Sequence, residues 1–223
     1  MNKYSVYLPC RAGSERVRNK NTKPFHKGRS LLQYKLDMLD QIEPISDICV
    51  STNDAEVKRQ ISKSSYKKVY VFDRDESLCR STTPTGALVT DMLNICASNF
   101  LIWTHVTSPL LSKATILECV KRFELEKDFD SLMTVNKIQN FLWMDGVPIN
   151  YDREENKWPN TQTLNPVYDI NSGLFIIGRD MAEQYQDRIG RKPYLFETIF
   201  PENIDIDWPE DFELAQELIS RRF

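Results

Sequence analysis

Short apolar runs alternate along this chain with longer stretches whose apolar residues recur every three or four positions. Residues 4–8, 47–51, 68–72, 100–106 and 131–135 have the length and the β-branched and aromatic content of buried strands. Helical patterns lie between them. Ser30 opens one that runs to about residue 42, with Leu31, Leu32, Leu36 and Leu39 on one face. Others run over 54–62 behind Asp54, over 83–96 behind Thr83 and Pro84, and over 112–126 behind Ser112, with Ile116, Leu117, Val120 and Phe123 turned inward. Strand and helix alternating this regularly predict an α/β fold with a wound, mostly parallel sheet. After Val135 the pattern changes. Residues 137–170 are rich in Asn, Asp, Trp, Pro and Tyr without helical period, and read as an excursion that carries a dimer contact or a lid. Strands at 172–177, 194–199 and 203–207, a short helix at 180–188 and a closing helix at 209–221 complete one domain, 1–223, with its insertion at about 137–170.

In wound sheets ligands sit at the carboxyl ends of the strands. The polar clusters 11–23, 52–54, 74–83 and 105–108 would share that edge. The first is the richest. Arg11, Arg16, Arg18, Lys20, Lys23, Lys27 and Arg29 face one acid, Glu15, and Gly13 and Ser14 sit at the turn. A strand, a small-residue basic loop and a helix suit a polyphosphate, although a solvated basic loop has the same composition. Neither GxxxxGK[ST] nor GxGxxG is present. The whole chain carries a net charge of −3, so the basic loop is local and argues for a small anion and against nucleic acid. Five widely spaced cysteines without a CxxC pair, and only His26 and His105 beside them, argue against structural zinc. No apolar run has the length of a membrane span and no signal peptide opens the chain, which predicts a cytoplasmic protein without membrane contact.

Asn203-Ile204-Asp205-Ile206-Asp207 alternates strictly, which on a strand puts Asp205 and Asp207 on one face. Two carboxylates so placed can hold a hard divalent cation with phosphate oxygens and water. Asp207 is equally placed to cap the closing helix, with Glu210 completing a capping box. Asp54 reads more simply as a cap than as a ligand. Arg74 stands among Asp73, Asp75 and Glu76, the setting of a surface ion pair. His105, beside Thr107 and Ser108, is either a satisfied polar residue or a ligand to a carboxylate or hydroxyl. Tyr168, Trp143 and Trp158 read as packing residues.

The stretch LPCRAGSERVRNKN resembles the nucleotide-binding loop of the CMP-sialic acid synthetase (acylneuraminate cytidylyltransferase) family, I-P-A-R-x-G-S-K-x-I-x-x-K-N. Arg11, Gly13, Ser14, Lys20 and Asn21 fall on its positions. Ser51-Thr52-Asn53-Asp54 is similar to the family's S-T-D-D, Thr107-Ser108-Pro109-Leu110 to its T-S-P-L, Ser172-Gly173 to its N-G-A, and 204–215 to its closing D-I-D and helix. The resemblance covers about residues 4–219. It implies a Rossmann-like three-layer fold that dimerises through the insertion, and a reaction in which CTP and a sugar acid give a CMP-sugar and pyrophosphate. Carried over, Arg11, Ala12, Gly13, Ser14 and Lys20 hold the triphosphate, and Asn21, Arg74, Ser81 and Thr82 serve the nucleoside. His105, Thr107, Ser108 and Tyr168 face the acceptor, and Asp205 and Asp207 hold Mg2+. Catalysis then falls to Lys20, Arg11 and Asp207 by positioning and charge neutralisation. The chain departs from the family where His105 replaces Gln, Ser81 replaces Asp, Leu111 replaces Arg, and Thr161 or Gln162 stands near the acceptor-pocket Arg. The nucleotide half is therefore kept better than the acceptor half. A nucleotidyltransferase for another nucleotide or acidic acceptor, and a non-catalytic nucleotide-binding homologue, are the alternatives.

Overall fold

The computed structural model describes residues 3–222. A seven-stranded sheet is built from β1 (Tyr4–Pro9), β4 (Ile45–Thr52), β5 (Val69–Asp73), β6 (Phe100–Thr104), β7 (Ser131–Ile138), β10 (Val167–Gly178) and β11 (Pro193–Glu197). Its order is β11-β7-β10-β6-β1-β4-β5, parallel except that β10 runs against β6 and β7. The mostly parallel α/β fold expected from the alternation is the one observed. Two short hairpins stand apart: β2 (Pro24–His26) with β3 (Arg29–Ser30), and β8 (Trp143–Met144) with β9 (Val147–Pro148).

Alternate side chains sort the strands into two buried layers. Tyr4, Val6, Leu8, Ile48, Val50, Ile102, Leu174 and Ile176 face α1 (Leu31–Leu39), α2 (Ala55–Ser62), α4 (Lys113–Leu125) and α6 (Pro209–Arg222). Tyr7, Cys49, Leu101, Trp103, Phe175 and Ile177 face α3 (Thr85–Ile95) and α5 (Arg179–Tyr185). Three of the expected caps hold, while α3 starts at Thr85 behind Pro84 without a side-chain cap. Ser30 and Gln33 form a capping box on α1, and Asp54 and Ser112 cap α2 and α4. The chain passes from β1 to β4 on one side and returns through α3 to β6 on the other, so the strand order reverses at β1. That reversal opens a crevice at the carboxyl edge.

Three expectations are corrected. Residues 203–207 form no strand: Asn203 ends a turn, and 204–207 is irregular chain held by Ile204 N–H to the Pro201 carbonyl at 3.3 Å and Ile206 N–H to the Thr107 carbonyl at 2.8 Å. The excursion is narrower than 137–170, because Lys137 and 167–170 are paired in the β7–β10 ladder. The ladder slips between Ile170 and Phe175, where Ser172 takes φ +56°. The short helix ends at Tyr185, not 188, because Gln186 turns left-handed at φ +50°.

Candidate active site

The loop after β1 lies over the crevice. Cys10 N–H donates to the Ser51 carbonyl and the Thr52 hydroxyl to the Cys10 carbonyl, so its first residues ride on β4. Ala12 N–H donates to Asn53 Oδ1 at 2.8 Å. Gly13 turns the loop at φ +77°, which strains any residue with a Cβ. The Asn21 amide donates to the Arg11 carbonyl, and the Asn21 carbonyl accepts from Leu32 N–H, stapling the loop's return to α1. Pro9, Arg11, Ser14, Arg16, Lys20, Asn21 and Ser81 line a cleft of about 240 Å³ together with Glu15 and Val17. Glu15 stands where the resembled loop has Lys, and Arg16 is the cation beside it.

Lys20 joins this loop to the chain's closing segment. Its ammonium donates to the Ile206 carbonyl at 2.6 Å and lies 3.8 Å from Asp207, which Arg16 meets at 2.9 Å. Burial lowers the Lys20 pKa against the pull of Asp207 and Asp205. The Asp207 carboxylate is thus used by cations. It is Asp211, not Glu210, that reaches back to the backbone at the start of α6, accepting from Asp207 N–H and Trp208 N–H. Asp205 is more enclosed, and burial raises its pKa, helped by Asp207 and opposed by the Thr107 hydroxyl. The Ser108 hydroxyl reaches it at 3.5 Å.

Arg74 is not on the surface. It is 5% exposed, and its guanidinium donates to the Ser51 hydroxyl and carbonyl, both at 3.0 Å. Ser51 and Tyr7 both donate to Asp91 on α3, at 2.6 and 2.7 Å. His105 accepts the Trp103 indole N–H at Nε2, 2.9 Å away, and Arg188 stands 3.3 Å from the same nitrogen. Burial, then Arg188, Lys35, Lys20 and Arg74, press its pKa down to about 3. His105 is therefore neutral, with its proton on Nδ1, and Arg188 is the cation in contact with it.

Of the residues expected at the site, Arg11, Ser14, Lys20, Asn21 and Ser81 share one cleft, and Asp205, Asp207, Thr107 and Ser108 meet beside Lys20. Thr82 is exposed without a described contact to the cleft. Tyr168 stands apart, paired with Lys137 in the ladder and donating to Glu197. Thr161 and Gln162 lie in a short turn of the excursion. Sequence reasoning missed Asp91, Lys35 and Arg188, and placed Arg16 and Asn53 at the ligand edge without giving either a role. Lys35 carried a signal: it falls on the apolar stripe of α1, is fully buried and donates to the Ser108 carbonyl at 2.8 Å. Burial pulls its pKa down to about 7 against the attraction of Asp205.

A family model described as cytidylyltransferase matches residues 6–223. The chain belongs to the cytidylyltransferase family. This cytidylyltransferase is 23% identical over 224 residues to the post-translational flagellin modification protein B of Campylobacter coli, covering 96% of this chain and 93% of that one. Its fold is shared with 4-diphosphocytidyl-2C-methyl-D-erythritol synthase from Anaerococcus prevotii, at TM-score 0.72 and 16% identity over 99% of both chains. It is shared also with a CMP:2-keto-3-deoxy-manno-octonic acid synthetase solved with CTP, at TM-score 0.68 and 15% identity over all of both chains. Membership agrees with the resemblance carried by the 8–21 loop. No helix among the described residues is long and apolar enough to cross a membrane.

Proposed function

We propose that this cytidylyltransferase activates a sugar acid of the nonulosonic type, converting CTP and the acid to a CMP-sugar and pyrophosphate. The observation that carries this reading is the position of Lys20, which lines the cleft of the phosphate-type loop and whose ammonium meets the Ile206 carbonyl and Asp207 of the closing segment. The CTP-bound state of a structural relative and the sugar acid in that relative's name support the same direction.

Arg11, Arg16, Ser14, Lys20 and the backbone N–H groups around Gly13 hold the triphosphate. Asn21 donates one amide N–H to the Arg11 carbonyl and lines the same cleft, so it braces the loop and keeps Oδ1 and a second N–H for the nucleoside. Arg74, fixed by Ser51, presents charge from below. An acceptor hydroxyl attacks the α-phosphorus in line. The new P–O bond forms as the bond to pyrophosphate breaks, and Lys20 and Arg11 neutralise the departing charge. The hydroxyl proton passes to a carboxylate of the 205–207 pair.

The pair also fits Mg2+. Asp205, with the Thr107 and Ser108 hydroxyls beside it, and Asp207 are the hard oxygen groups that would hold the ion. No group of three or more His, Cys, Asp or Glu suited to a metal occurs among the described residues, so these two carboxylates are the protein groups that would hold the ion. A bound magnesium supplies charge neutralisation at the phosphate oxygens. The excursion exposes Trp143, Met144, Val147 and Trp158, which supports pairing with a second copy of the chain.

Pyrophosphate release with CTP, magnesium and a panel of nonulosonic and other sugar acids tests the reading. Release with one acid, abolished in Arg11→Ala and Lys20→Ala, is expected. Release only with another nucleotide or with a non-acidic acceptor refutes it, as does CTP binding without release for every acid.

A further inference from the structure

We propose that Arg188, held over Trp103 and Phe175 beside His105, is the subsite for the acceptor's carboxylate. This deepens the cytidylyl-transfer reading and rests on it. Trp103 and Phe175 are register partners on β6 and β10, one residue short of the carboxyl end of β6. The left-handed turn at Gln186 brings the chain back across this pair, and the Arg188 guanidinium lies 4.0 Å from the Phe175 ring centre and 4.8 Å from that of Trp103. Aromatic faces orient a guanidinium plane without neutralising it.

Neutralisation is what the site lacks. No carboxylate among the described residues comes within salt-bridge distance of Arg188. Asp187, its chain neighbour, turns Oδ1 to the backbone N–H groups of Arg188 and Ile189. The single side-chain hydrogen bond of Arg188 goes to His105 Nε2, which already accepts from Trp103. A half-buried cation with most of its N–H fork unused is a receptor for a planar anion. That anion is the acceptor's rather than the nucleotide's. The triphosphate already has Arg11, Arg16 and Lys20 on the loop over β1, while Arg188 sits over β6 and β10, about 5–10 Å across the strand order. A sugar acid whose hydroxyl reaches the α-phosphate from that side sets its carboxylate on the fork. The acidic acceptor thus has a receptor in the Arg188 fork.

The chain has only two histidines, so imidazole 15N spectra of histidine-labelled protein report His105, with the remote His26 as internal control. The probes are N-acetylneuraminate, 2-keto-3-deoxy-octonate and their methyl esters, each added to protein with CTP and magnesium. The acids are expected to move the His105 Nε2 resonance and the esters to leave it in place. Arg188→Gln should abolish the response, and Arg188→Lys should weaken it, with His26 unchanged in both. In turnover, Arg188→Gln should raise the KM for the acid about 10- to 100-fold and leave that for CTP within about twofold. The subsite is overturned if no acid moves His105, if Arg188→Gln responds like wild type, or if CTP alone produces the Arg188-dependent shift. An acid that moves His105 in wild type yet yields no pyrophosphate upholds the subsite and refutes the transfer reading.

Discussion

Replacing Lys35 by Met should stabilise the protein below neutral pH and destabilise it in alkali. Lys35 is fully buried on α1, and burial moves its pKa from the ordinary 10.5 to about 7. At 1.36 kcal/mol per pH unit, the folded state disfavours the ammonium by about 5 kcal/mol. The attraction of Asp205 is already inside that net figure. Between pH 7 and 10.5 the unfolded chain binds a proton that the folded chain does not, so stability rises with pH across this window and is flat below it. Met has nearly the same length and no charge, but it leaves the Ser108 carbonyl without its 2.8 Å donor, which costs about 1–3 kcal/mol. The balance is a gain of about 2–4 kcal/mol at pH 6 and a loss of about 1–3 kcal/mol near pH 10.5. Urea unfolding of wild type and Lys35→Met, measured at pH steps from 6 to 10.5, reads this directly. Stability curves that run parallel across the window refute the reasoning, because they mean Lys35 keeps its proton in the fold.

Other consequences follow from the same geometry. Asp207→Asn removes a carboxylate that meets Arg16 and Lys20, so turnover with magnesium should fall at least about 100-fold, while the half-exposed ion pairs contribute little and urea midpoints should barely move. Ser30→Ala breaks the capping box and the Ser30 bond to Gln60, and should lower stability by about 1 kcal/mol and Tm by about 2–4 °C in calorimetry. His105, held neutral with a pKa near 3, should keep one tautomer from pH 5 to 9 in 15N spectra, and a midpoint near 6.5 contradicts its placement.

What was legible in the sequence was what local chemistry decides. The strands β1, β4, β5, β6 and β7 announce themselves as apolar runs, and Ser30, Asp54 and Ser112 cap their helices through bonds to residues two or three positions away. The loop at 10–21 was readable because its turn needs Gly13 and its charges are contiguous. The rest depends on contacts between distant segments. Alternation at 203–207 mimics a strand, yet no neighbouring strand pairs with it. Arg74 looked like a surface cation among acids, and only the fold shows Ser51 drawing it inward. Gln186 carries no glycine-like signal for its left-handed turn, so the arrival of Arg188 over Trp103 could not be foreseen. Lys35 is a charge on an apolar stripe, and only the fold shows the buried Ser108 carbonyl that receives it.

The most direct test of the central claim is 31P NMR of CTP, magnesium and each candidate acid with the wild-type protein and with Lys20→Ala. A phosphodiester resonance of a CMP-acid growing in step with pyrophosphate, in wild type only, is the predicted result. Triphosphate resonances that stay unchanged with every acid, or product formed by Lys20→Ala at the wild-type rate, would contradict it.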